Sequence, residues 1–231
     1  MWIKICGITQ LEDAQLAVHA GADAIGFVFA ESPRRMTPEA VREITKELPS
    51  SVEKIGVFVK AQTEEIIAAC KIAGLSGVQL HGESFAGHAP NLASHLRAQL
   101  KNHSGKLRVI EVVRYDGNST SFALQLRALG AQQAAGDDLH AVLVDTQMAG
   151  KQGGTGVPFD WLSARDSFLQ EASHLRLIAA GGLRPENVRQ VIQTLHPWGV
   201  DVSSGVESSA GKKDHQRVAE FIRAARQASG D

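Results

Sequence analysis

Eight times along this chain a short apolar run ends on a polar residue or a glycine and gives way to a stretch with helical spacing, and few folds accommodate that alternation. The apolar runs are Trp2 to Cys6, Ala24 to Phe29, Ile55 to Val59, Val78 to His81, Leu107 to Val113, Ala141 to Val144 with Asp145 at its end, Leu175 to Ala180, and Trp198 to Val202. Several are apolar on consecutive residues, as in AIGFVF, which is the mark of a strand buried on both faces of a parallel sheet. Helix starts follow in the intervals: Thr9 as an N-cap with Glu12 three residues on, Thr37 before Pro38, Thr63 opening a segment to Ile72, Pro185 opening another, and Asp214 ahead of Val218, Phe221, Ile222 and Ala225 on one face. A polar helical segment runs to about Leu100, another helix is expected from Ser121 to Leu129, and a further one is expected to start near Phe159.

Strict β-then-α order requires parallel strands joined by crossovers of one hand, and eight such units close on themselves. The 231 residues give about 29 per unit, close to the ~31 of a typical barrel of this kind. The expected fold class is therefore α/β, a (β/α)8 TIM barrel, with residues 1–231 as a single domain. A doubly wound open sheet is the alternative, but the first strand leads into Cys6-Gly7-Ile8-Thr9 rather than G-x-G-x-x-G.

Composition narrows the classes of function. A net charge of −1 with scattered basic residues lacks the stripe needed to follow a nucleic-acid backbone. No apolar run approaches the ~20 residues of a membrane span and no targeting signal opens the chain. Cys6 and Cys70 stand far apart without metal-ligand spacing, so neither a disulfide framework nor a metal site is expected, and the expected compartment is the cytoplasm.

In such a barrel the chemistry gathers at the C-terminal ends of the strands. Cys6, His81 and Asp145 fall there and can move protons near neutral pH. Each has a plain alternative: packing for Cys6, a satisfied loop histidine for His81, a loop cap for Asp145. Cys6 shares the parity of Lys4, so both point into the barrel if Ile3 and Ile5 meet the helices. Asp201 shares the parity of Ser203, and a carboxylate facing the interior needs a partner such as Lys4. Gly181-Gly182 and Ser203-Ser204-Gly205 end the last two strands, where glycine lets backbone N–H groups approach an anion, although strand-to-helix turns are glycine-rich for geometric reasons too. Arg34 and Arg35 at a barrel mouth suit an acidic ligand. The glycine-rich stretch Thr146 to Pro158 is long enough to be a functional loop, expected to close over a ligand. His88 and His95 are not spaced as ligands on one face and are expected to be solvated.

The segments KICGIT (Lys4 to Thr9), GADAIGFVF, SPR (Ser32 to Arg34), VQLHG, LVDT, GGTGVPFDW, AGGLRPENV and VDVSSGVE…GKKD stand in this order along the chain, and together they resemble the phosphoribosylanthranilate isomerase family of tryptophan biosynthesis. Only Phe85 to Leu139 matches loosely. The resemblance implies a cofactor-free Amadori rearrangement of a phosphoribosyl anthranilate, with Cys6 as general base and Asp145 as general acid. It also implies Arg34 on the anthranilate carboxylate, His81 and Asp201 as further substrate contacts, and a phosphate site at Gly181, Gly182, Ser203, Ser204 and Gly205. Such an enzyme is expected to be a monomer or a homodimer. Acid and base roles at neutral pH lead to the expectation of a thiol shifted down and a carboxyl shifted up. Rival readings are another phosphosugar barrel, which would lean on a strand-end lysine where only Lys4 is available, and a sensor that keeps the phosphate cup without acid–base residues.

Overall fold

Strand after strand, the side chains alternate between two apolar environments, and that alternation sets the architecture. In a computed structural model that describes residues 1–81, 89–100, 107–115, 119–134, 139–145, 165–166, 168–170 and 175–230, eight parallel strands form a closed barrel in sequence order. They are β1 (Trp2–Ile5), β2 (Ala24–Val28), β3 (Glu53–Phe58), β4 (Gly77–Leu80), β5 (Arg108–Arg114), β6 (Ala141–Asp145), β7 (Leu177–Ala180) and β8 (Gly199–Val202). Trp2, Ala24, Ile55, Ile110, Leu143, Ile178 and Ala180 fill the barrel interior. The other parity, Ile3 and Ile5 among it, packs against the surrounding helices in one continuous core. The orientation expected of Lys4 and Cys6 follows.

Helices at Leu11–His19, Pro38–Thr45, Thr63–Ala73, Ala89–Leu100, Ser119–Ala134, Val188–Leu195 and His215–Ser229 flank the strands. Thr37 caps its helix through Ala40 N, and Asp214 Oδ1 accepts from Gln216 N and Arg217 N, as the sequence predicts. The buried face of that last helix is Val218, Phe221, Ile222 and Ala225.

Two predicted helix starts are corrected. Thr9 is not an N-cap: the helix begins at Leu11 after Gln10, and the Thr9 hydroxyl donates instead to the Gly211 carbonyl. Pro185 does not open a helix either, since it lies in a turn and the helix starts at Val188. Asn187, at the cap position, spends its side chain on that turn, accepting from Arg184 N at 2.9 Å and donating to Gly182 O at 3.0 Å. A feature the strand pattern did not announce follows β8: a 3-10 turn, Ser204–Val206, and a small antiparallel hairpin of β9 (Glu207–Ser209) and β10 (Lys212–Lys213).

Candidate active site

Cys6 follows β1 at the rim of the barrel, and what lies beneath it decides its chemistry. Lys4, two residues earlier on the same face, is fully buried, and its Nζ donates to Asp201 Oδ1 and Gln79 Oε1, each at 2.9 Å. Lys4 and Asp201 are register partners across the β1–β8 pairing, so the ion pair that parity pointed to is built into the sheet. Gly26 on β2 leaves the room for this stack: a Cβ there would stand 2.8 Å from Cys6 Sγ and 2.9 Å from Lys4 Cε.

Burial works against the Lys4 ammonium, but Asp201 and the Cys6 thiolate outweigh it and hold the group above its ordinary value. For Cys6 burial raises the pKa, Lys4 and Lys213 pull it down and Asp201 pushes it up, leaving the thiol above its ordinary value. The expectation of a lowered thiol is thereby corrected, because burial disfavours the thiolate by more than the cations recover.

Asp145 closes β6 on the same rim. His81, just beyond β4, sets Nε2 at 3.3 Å from Asp145 Oδ2, and Arg114 Nη2 lies 3.4 Å from His81 Nδ1. An arginine can only donate, so Nδ1 faces it as acceptor and Nε2 carries the ring proton toward Asp145. Arg114 thereby fixes the tautomer that holds the carboxyl in place. His81, placed by the resemblance among the substrate contacts, is here a partner of Asp145.

The loops after β7 and β8 touch. Gly181 and Gly182 have φ of 87° and 64°, and a Cβ on Gly205 would lie 1.8 Å from the Leu183 carbonyl oxygen, so only glycine fits between the two loops. Asn187 holds the Gly182 carbonyl, and Lys213 Nζ holds the Ser203 carbonyl at 3.1 Å. In a trans peptide the next N–H points the opposite way, which turns the Leu183 and Ser204 amides away from those partners. Arg217 Nε and Nη2 tie the Gly205 carbonyl from behind at 3.1 and 3.0 Å.

Arg34 crosses the end of β1. Its Cδ would be 2.5 Å from a Cβ on Gly7, whose φ is 72°, and Ser203 Oγ would be 2.9 Å from the same point. The guanidinium ends on Glu207, with Nε at 2.7 Å from Oε1 and Nη2 at 2.6 Å from Oε2. Lys213 Nζ shares Oε1 at 2.9 Å. Burial alone would raise the Glu207 carboxyl, yet hydrogen bonds from Arg34 and Lys213 bring it below its ordinary value. Burial lowers Lys213, and Glu207 offsets part of that.

The fold thus gathers Cys6, Asp201, Arg34, Ser203, Ser204, Gly205, Gly181, Gly182, His81 and Asp145 at one end of the barrel. Arg114 was a candidate only by its place at a strand end, and Gln79, Glu207, Lys213 and Arg217 were not singled out from sequence, although Glu207 and Lys213 stand in the VSSGVE…GKKD segment. The loop Thr146 to Pro158 and His88 lie outside the described residues, while His95 is exposed, as expected.

Known proteins resemble this chain along its length. The family model described as N-(5'phosphoribosyl)anthranilate (PRA) isomerase matches residues 3–224. The N-(5'-phosphoribosyl)anthranilate isomerase of Pelobacter propionicus is 41% identical over 226 residues, covering 97% of this chain and 95% of its own. That of Thermotoga neapolitana is also 41% identical, over 97% of this chain and 98% of its own. Among solved structures, the phosphoribosyl anthranilate isomerase of Thermotoga maritima superposes with a TM-score of 0.78 at 38% identity, covering 98% of this chain and 99% of that one. A phosphoribosyl anthranilate isomerase in complex with reduced 1-(o-carboxyphenylamino)-1-deoxyribulose 5-phosphate gives 0.73 at 36% identity, with the same coverage. Matched from residue 3 to residue 224, the chain belongs to the N-(5'-phosphoribosyl)anthranilate isomerase family.

Proposed function

We propose that this chain isomerises N-(5-phospho-β-D-ribosyl)anthranilate to 1-(2-carboxyphenylamino)-1-deoxy-D-ribulose 5-phosphate in tryptophan biosynthesis, with Asp145 as general acid and Cys6 as general base. The observation that carries the residue assignment is the stack of Cys6 on Lys4 at the rim that also holds Asp145, since it pairs a thiol backed by a cation with a separately held carboxyl.

Asp145, protonated, gives its proton to the furanose ring oxygen as the C1′–O bond breaks and the anilino nitrogen forms a cationic Schiff base. Cys6 as thiolate then takes the proton from C2′, and the C–H electron pair neutralises the iminium to give an enolamine. Loss of the enol O–H proton and protonation at C1′ give the ketone. No net redox partner is needed, because C1′ is reduced as C2′ is oxidised.

A thiol held above its ordinary value still suits this order of events. The Schiff-base cation forms one bond from C2′, beside Cys6, and adds the positive charge that Lys4 and Lys213 only partly supply. The same cation acidifies C2′–H. The phosphate on the Leu183 and Ser204 amides and the anthranilate carboxylate on Arg34 hold C2′ between acid and base. Arg34 lies near enough to Cys6 to feel its charge, which fits a carboxylate ortho to the nitrogen that leads through C1′ to C2′.

The test is the fluorescence decrease of phosphoribosyl anthranilate with purified protein, the product being confirmed by mass and by borohydride reduction. Turnover by the unmodified chain that is lost in both Cys6→Ser and Asp145→Asn is expected. Turnover that persists in Cys6→Ser within a few-fold removes the thiol from the mechanism.

A further inference from the structure

The carboxylate that Arg34 grips in this structure belongs to the chain itself, and the way it does so leaves part of the guanidinium unused. Glu207 occupies the Nε and Nη2 side of the fork. A planar guanidinium has a second edge, formed by Nη1 and the remaining Nη2 proton, which can take another carboxylate bidentately. We propose that Glu207 is a positioning residue that fixes this second edge of Arg34 toward the arylamine carboxylate, and that Glu207 thereby sets the preference of the enzyme for an ortho-carboxylated arylamine. The inference rests on the assignment of Arg34 given above.

Three observations support it. Glu207 is nearly inaccessible, its side chain 5% exposed, so the arrangement is not a passing surface pair. Lys213, with a side chain 0% exposed, bonds the same carboxylate, so the trio of Arg34, Glu207 and Lys213 keeps one net positive charge. Without Lys213 the Arg34–Glu207 pair would be neutral and could offer an incoming carboxylate hydrogen bonds but no surplus charge. Finally, Lys213 also holds the Ser203 carbonyl, and Glu207 follows directly on the Ser204–Val206 turn. One hairpin therefore ties the phosphate loop to the arm that reads the aryl carboxylate, which fixes the distance between the two anionic ends of the substrate.

The experiment compares two substrates, the phosphoribosyl adducts of anthranilate and of aniline, the second lacking the carboxylate. Wild type, Arg34→Ala, Glu207→Gln and the milder Glu207→Asp are assayed for kcat and KM on both. Glu207→Gln is expected to raise KM for the anthranilate adduct roughly 10- to 100-fold, the size of a charge-assisted contact, with kcat reduced less. Its effect on the aniline adduct should be within about threefold, so the preference between substrates collapses. Glu207→Asp, which keeps the charge but shortens the reach, should fall between, and serves if the glutamine variant does not fold. Equal losses on both substrates in the Glu207 variants would show a merely structural role and overturn the proposal. If Arg34→Ala also fails to discriminate, the assignment of Arg34 falls with it. If Arg34→Ala discriminates and the Glu207 variants do not, only the proposal for Glu207 fails.

Discussion

Replacing Lys4 by methionine separates what the buried cation does for the barrel from what it does for the thiol. In the fold it neutralises Asp201, which is only 9% exposed, and removing one partner of a buried pair costs ~3–5 kcal/mol. At roughly 2–4 °C per kcal/mol for a chain of this size, the melting temperature should drop by about 6–20 °C. Asp201→Asn should destabilise in the same way by stranding the ammonium, and the double variant should recover most of the loss, since a buried pair replaced by neutral groups is often no worse.

The thiol responds with opposite signs. Lys4 lowers the Cys6 pKa and Asp201 raises it, with Lys4 the larger influence. The alkaline-rising limb of kcat/KM, or the pH dependence of alkylation by iodoacetamide, should therefore move to higher pH in Lys4→Met and to lower pH in Asp201→Asn. In the double variant it should stay above wild type. Cys70 does not confuse the alkylation assay, because burial pushes its thiol up to about 12. A limb that moves the same way in both single variants, or not at all in the refolded double variant, would refute the electrostatic account of Cys6.

Cys6→Ser and Asp145→Asn should each lower kcat ~10²- to 10⁴-fold with little change in KM or melting temperature, read from steady-state kinetics and thermal unfolding. Gly205→Ala should raise KM and weaken inhibition by inorganic phosphate, because the added Cβ would meet the Leu183 carbonyl at 1.8 Å and spread the two loops; unaltered phosphate inhibition would move the phosphate elsewhere. Glu207, whose folded pKa lies below its ordinary 4.5, gives stability that is complete above that value and disappears as acid passes the folded pKa. Glu207→Gln should accordingly flatten the fall of unfolding free energy below about pH 5, as followed by denaturant titration.

What could be read from the sequence is what is local. The eight strands were legible because each is an apolar run stopped by a polar residue or glycine, and Asp145, Cys6 and Ser203 took their places by strand-end position alone. For the Lys4–Asp201 pair parity gave only that both charges face inward, and the β1–β8 register across 197 residues is what brings them together. The Thr9 hydroxyl and the Arg34 fork went to Gly211 and Glu207, partners 202 and 173 residues away, which no local rule reaches. The direction of the Cys6 shift was hidden for a similar reason: it depends on how dry the closed barrel is around Lys4, and strand periodicity says which way a side chain points but not how much water remains there.

The Lys4–Asp201 pair lies on the seam where the first strand meets the last. A chain emerging from the ribosome could lay down seven strands and still hold Cys6 above a lysine with no counter-ion, next to an arginine with no Glu207. Nothing resembling the finished site exists until residue 201 docks on residue 4, a contact that closes a loop of 197 residues. Catalytic competence therefore arrives with ring closure itself, and the regain of activity during refolding is a clock for that one event.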